Sequence, residues 1–149
     1  MGEIEKKIKE AIAYKERGYL DLAREILEEI PSRKKDALTF FQEGDLFMKI
    51  ARRKRSEISP LEYKVLLQRA IKCFRSCQKR DKGELYRFQD KKGNIKYLTL
   101  STLANERIKI LQQEIQNLKG IREKEELVRV GPLQWSEGTL LVVKPLKKK

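Results

Sequence analysis

The chain has 149 residues, enough for one domain with a hydrophobic core. Hydrophobic residues make up 40% and charged residues 38%, a balance that suits thin helical layers with much solvated surface rather than a thick globule. With 35 basic and 22 acidic residues the formal net charge is +13, which favours polyanions or acidic partners without choosing a fold; the lack of histidine excludes Ser–His–Asp, Cys–His and imidazole–metal chemistry.

The N-terminal segment "MGEIEKKIKE" is charged within three residues and does not read as a signal peptide, and Lys6 stands where a myristoylation motif requires Ser or Thr. Residues 3–17 are predicted helical, with Ile4, Ile8, Ala11 and Lys15 on one stripe and Ile12 and Tyr14 beside it. Gly18 interrupts as a turn residue would. A second helix is predicted over 20–30, with Ala23, Ile26, Leu27 and Ile30 inward and Pro31 as its stop. A third is predicted over 33–54, its apolar side supplied by Ala37, Leu38, Phe41, Leu46, Phe47, Ile50 and Ala51. Gly44 inside it costs about 1 kcal/mol relative to alanine, so close packing is expected to compensate.

"SPLE" at 59–62 is the clearest local signal in the chain: Ser59 as N-cap, Pro60 at the first helical position and Glu62 three residues past the cap. The helix it opens runs to about residue 79, burying Leu66, Leu67, Ala70, Cys73, Phe74 and Cys77. "ELYRFQDKKGNIKYLTL" at 84–100 is aromatic and β-branched around a glycine-containing loop, which predicts a β-hairpin resting on the helices or on other strands. A fifth helix is predicted over 101–119, ending at Gly120. Its seam of Ala104, Ile108, Leu111, Ile115 and Leu118 has coiled-coil spacing but is short, which favours packing inside a bundle. A charged linker at 121–126 leads to two predicted strands, Leu127–Val130 and Thr139–Val143, and a basic tail. The organisation expected is a helical-repeat domain at 1–120 with a β-hairpin insertion at 84–100, then the linker, a short C-terminal β-hairpin and the tail at 121–149.

The first two predicted helices carry a specific pattern. Ala11 is small, Tyr14 follows three residues later, Gly18 fits an inter-helix turn, and Leu20 is a bulky residue opening the second helix. Ala23, Leu27 and Ile30 continue in a small–large–small series in which Ile30 is larger than the usual alanine, and Pro31 ends the unit early. This pattern resembles a tetratricopeptide (TPR) repeat. A second, degenerate unit is suggested by Gly44 and Phe47, then Ala70, Phe74 and Cys77, with an insertion containing "RRKRSEIS" between them. The resemblance covers roughly residues 4–79. It implies a mainly α fold of TPR-like antiparallel helical hairpins, about five helices in all, with one or two small β-hairpins in the C-terminal half. It also implies a concave helical face that receives a peptide or partner protein, and no catalysis.

The residues themselves carry little reactive chemistry. Cys73 and Cys77, four apart on one helix, make a poor disulfide framework, so the chain reads as reduced and cytoplasmic, with both thiols in the core. No further Cys or His completes a metal site, no phosphate-cradling glycine loop occurs, and the carboxylates fall in runs with lysine that read as solvated faces. Neither a cofactor nor an enzymatic activity is expected, and no apolar run reaches the ~20 residues of a membrane span.

Basic residues supply the candidate binding sites: Arg52, Arg53, Lys54 and Arg55; Lys79 and Arg80; Lys91 and Lys92. The first group either complements the dipole at the end of the third helix or contacts phosphates. Tyr86, Tyr97 and Trp135 are candidate interface residues. Strand alternation sets Tyr86 and Phe88 on one face with Arg87 opposite, which favours burial of the former over stacking with bases. Trp135, in a turn-rich context, either anchors the C-terminal hairpin or forms an exposed hot spot. The primary reading is a non-enzymatic adaptor that binds an acidic peptide or protein through the face of the first and third helices, where Lys7 and Lys15 suit a carboxylate. The alternative is a module for RNA or single-stranded nucleic acid, built from the basic loops and the 84–100 hairpin.

Overall fold

A computed structural model describes residues 2–118 and 138–140. Its described part is mainly helical. Five helices, α1 (Glu3–Glu16), α2 (Leu20–Glu29), α3 (Ala37–Lys54), α4 (Pro60–Arg80) and α5 (Leu100–Leu118), are joined by a small antiparallel sheet of β1 (Leu85–Asp90), β2 (Ile95–Thr99) and β3 (Gly138–Leu140).

The α1–α2 turn and the starts of α3 and α4 have short-range causes. Between α1 and α2 the chain reverses through Gly18, at φ +87°, a conformation in which a side chain would be strained. Residues 33–36 depart from the predicted third helix. They form a 3-10 turn at Ser32–Lys34 and then extended backbone at Lys35 and Asp36. Asp36 is the reason: its carboxylate accepts from Thr39 N at 2.8 Å and Thr39 Oγ1 at 2.6 Å, so it caps α3 instead of entering it. Ser59 caps α4 as expected, its Oγ accepting from Glu62 N at 3.1 Å, with Pro60 next to it. At the hairpin tip Asp90 Oδ1 accepts from Lys92 N and Asn94 N, both at 2.9 Å, which closes the β1–β2 turn.

The helices stack as antiparallel neighbours. Lys7 near the start of α1 meets Glu29 at the end of α2 at 3.7 Å. Arg52 late in α3 meets Tyr63 early in α4, and Arg80 at the end of α4 donates to the Lys35 carbonyl just before α3. Gln78 of α4 donates to the Ser101 carbonyl at the start of α5, and Tyr63 reaches Glu114 near its end. It follows that α3 and α5 run parallel, with Asp45–Arg107 and Arg52–Glu114 both separated by 62 residues.

Small residues sit where the helices touch. Ala11, Ala23 and Ala70 are at most 1% exposed. A Cβ on Gly44 would lie 2.8 Å from Cε1 and Cζ of Phe74, so this glycine lets α3 and α4 approach at full contact. Phe74 in turn meets Phe41 edge to face, with centroids 5.4 Å apart. Phe47, also buried, lies under the guanidinium groups of Arg24 at 5.3 Å and Arg69 at 4.6 Å, and Glu28 pairs with both cations. The seam of α5 is buried in this stack at Ala104, Ile108, Leu111 and Leu118, as expected of a bundle helix.

The hairpin of β1 and β2 pairs Leu85 with Thr99 through Gln89 with Ile95. Tyr86 and Phe88 turn to the core, and Leu98 packs against it. β3 adds to the free edge of β1, Phe88 opposite Leu140, giving the order β2-β1-β3. The C-terminal strand expected at 139–143 is thus present over Gly138–Leu140 and extends the first hairpin. The strand expected at 127–130, the linker and the basic tail lie outside the described residues.

Candidate functional site

Among the described residues six polar side chains are buried: Lys15, Arg107 and Glu114 pair across helices, Lys35 pairs with Glu43, and Thr39 bonds to its helix cap Asp36. Asp45 on α3 is the hub: Oδ2 accepts from Lys15 of α1 at 3.0 Å and Oδ1 from Arg107 of α5 at 2.9 Å. Lys15 also donates to Gln42, and Arg107 lies over the Phe41 ring at 5.3 Å. Burial pushes the Asp45 carboxyl up, and Lys15, Arg107 and Lys49 together outweigh it, holding the group well below the usual carboxylate range. A second cluster joins α3, α4 and α5. Glu114 Oε1 accepts from Arg52 Nη1 at 2.9 Å and from the Tyr63 hydroxyl. Burial, then the hydrogen bond to Glu114, raises the Tyr63 phenol well above its ordinary value. A third pair, Lys35 to Glu43 at 2.9 Å, closes the start of α3.

These contacts reassign several residues that were candidates for binding. Lys15, expected to face a ligand, is 5% exposed and belongs to Asp45. Arg52 is half-buried in the Glu114 cluster rather than offered to a phosphate. Arg53 donates to the Gly18 carbonyl at 2.6 Å and steadies the α1–α2 turn, while Lys54 lies 3.7 Å from Asp21. Arg55 is half-buried, close enough to Tyr63 to act on its titration. Four consecutive residues fan out by 100° each around a helix, so the run "RRKR" cannot form one patch. Arg80 is held by the Lys35 carbonyl and the Phe40 ring. Tyr86 is 7% exposed, which removes it from the interface candidates, and burial pushes its phenol up to about 12. Trp135 lies outside the described residues.

What stays outward is different. Lys91 and Lys92 are exposed at the hairpin tip, and Tyr97 and Ile95 are exposed on the outer face of β2. Lys79 is exposed on α4, together with Lys72 and Arg75, which contiguity in sequence did not single out. Their signal was the spacing of three and four residues, which sets all three along one helical face. They line an open cleft of about 400 Å³ between α4 and α5.

Comparison with family models, with curated proteins and with solved structures returns no match. The functional reading therefore rests on the residues. Among the described residues no group of three or more His, Cys, Asp or Glu side chains is arranged to hold a metal ion, and no helix is long and apolar enough to cross a membrane. Cys73 and Cys77 are free and buried, and burial pushes both thiols up, Cys77 to about 12. Thiols in that state are poor nucleophiles and poor ligands.

Proposed function

We propose that this chain is a non-enzymatic adaptor of the cytoplasm whose TPR-like helical stack binds an acidic peptide or partner protein. One observation carries the reading. The cations inside the stack are neutralised by Asp45, Glu43 and Glu114, whereas three cations along the outer face of α4 line a cleft that has no carboxylate among its described lining residues. A surface of that kind recognises negative charge and speeds the encounter with it. Close contact at Ala11, Ala23, Ala70 and Gly44, between antiparallel helices, supports the resemblance to helical repeats. Two buried, free cysteines with raised thiol pKa values fit a reducing compartment.

A specific observation also favours a second reading, as a single-stranded nucleic-acid module. Tyr97 is 53% exposed on a hairpin whose tip bears Lys91 and Lys92, so an exposed ring on which a base could stack lies on the same basic hairpin. Capture of partners from the native lysate, with and without nuclease, separates the two. The adaptor reading expects an acidic protein that survives nuclease and is released by high salt. Recovery only of nuclease-sensitive material, lost when Lys91, Lys92 and Tyr97 become alanine, would replace it with the second reading.

A further inference from the structure

Helix α4 carries Lys64, Arg69, Lys72, Arg75, Lys79 and Arg80 against a single acidic residue, Glu62. Two of the six cations are engaged by the fold. Arg69 lies over Phe47 and pairs with Glu28, and Arg80 donates to the Lys35 carbonyl over Phe40. Lys72, Arg75 and Lys79 make no ion pair among the described residues, and all three are exposed. They follow one another along two turns, an axial span of about 10 Å at 1.5 Å per residue. At that separation they repel one another until an anion lies between them.

The cleft they edge is not purely ionic. Half-buried Ile115 from α5 and the edge of Ile71 from α4, which is 6% exposed, supply its apolar lining, and no aromatic side chain is among its described lining residues. Resting on the adaptor reading, we propose that this cleft is the docking site for an acidic amphipathic peptide segment. The segment lays apolar side chains on Ile71 and Ile115 and sets carboxylates against Lys72, Arg75 and Lys79. A partner helix with apolar residues three and four apart and glutamates beside them repeats the axial spacing of the cations. A nucleic-acid strand matches less well. Its phosphates have nothing to place on two isoleucines, and its bases find no ring to stack on.

The probe is a synthetic fluorescent peptide with leucines at helical spacing and glutamates between them. It is compared by anisotropy with a scrambled peptide of the same composition and with single-stranded oligouridylate. Wild-type protein is expected to bind the amphipathic peptide in preference to both, more weakly as salt is raised. The K72E/R75E/K79E variant should lose at least about tenfold in affinity, and I115S several-fold. The K91E/K92E variant, outside the cleft, should stay within about twofold of wild type. Circular dichroism establishes that each variant is folded, and K72Q/R75Q/K79Q replaces the charge reversal should the latter not fold.

Peptide binding that ignores the cleft variants but falls with K91E/K92E would overturn the cleft while leaving the adaptor reading in place. Failure of wild-type protein to bind the peptide, or equal binding of the scrambled one, would overturn the cleft as well, with the adaptor reading then judged by lysate capture. Tighter binding of oligouridylate through Lys72, Arg75 and Lys79 would overturn both.

Discussion

Gly44→Ala tests the claim that close contact between α3 and α4 organises the stack. At an open helical position alanine is more stable than glycine by about 1 kcal/mol. Here the added methyl would sit 2.8 Å from two ring atoms of Phe74, whereas carbon atoms rest about 3.5–4.0 Å apart. The ring would have to move by about 0.7 Å or more. It has no free space to do so, being 0% exposed and held edge to face by Phe41. Overpacking of this kind costs about 1–3 kcal/mol, so from the middle of that range, about 2 kcal/mol, a net loss of about 1 kcal/mol is expected after the helical gain. For a chain of this size that lowers Tm by about 2–4 °C. Urea denaturation followed by far-UV circular dichroism measures it. Phe74→Leu alone should destabilise, but in the Gly44→Ala background it should cost less, with a coupling of about 1 kcal/mol. A Gly44→Ala protein at least as stable as wild type, with additive effects in the pair, would refute the close approach.

Asp45→Asn should destabilise by about 3 kcal/mol, the lower end for breaking a buried ion pair because the side chain is still 15% exposed, by leaving Arg107 without this carboxylate and Lys15 with only the exposed Glu16 at 3.9 Å. It should also flatten the acid limb of the stability profile. The folded carboxyl ionises more readily than the unfolded one, so its contribution is complete above about pH 4 and is lost as pH falls toward the folded value. Denaturation midpoints at pH 7, 4 and 2 would show this, and equal acid slopes in both proteins would contradict it. Cys73 and Cys77, with burial raising both thiols, should react with a thiol-specific disulfide reagent at pH 8 only as fast as the chain opens, and at once in denaturant. Labelling of the native protein at the rate of a free thiol would show that one of them is accessible.

Much of the architecture is legible in residues that act over a single turn. Ser59 and Pro60 open α4, Gly18 and Pro31 delimit α2, and alternation in "LYRF" places Tyr86 inside. The helix start displaced by more than one residue, at 33 instead of 37, also has a local cause: Asp36 was a cap signal that continuous amphipathic spacing concealed. The candidate site was less legible. Grouping cations by contiguity singled out Arg52 to Arg55, which the helix disperses to Glu114, Gly18 and Asp21. The cations that share a face, Lys72, Arg75 and Lys79, are separated in sequence and could have been found by helical spacing, although nothing local marks them as unpaired.

The amino-acid sequence by itself determined where helices start and stop, where the hairpin turns, and which small residues lie at helix contacts, because caps, turns and periodicity depend on neighbours a few residues away. Only the tertiary structure decided which charges are neutralised. Asp45 finds Lys15 across 30 residues and Arg107 across 62, and a lysine with such a partner is neutralised within the fold while one without it keeps its charge for solvent. That difference is set by the crossing of α1, α3 and α5 at one point, and no local signal records it.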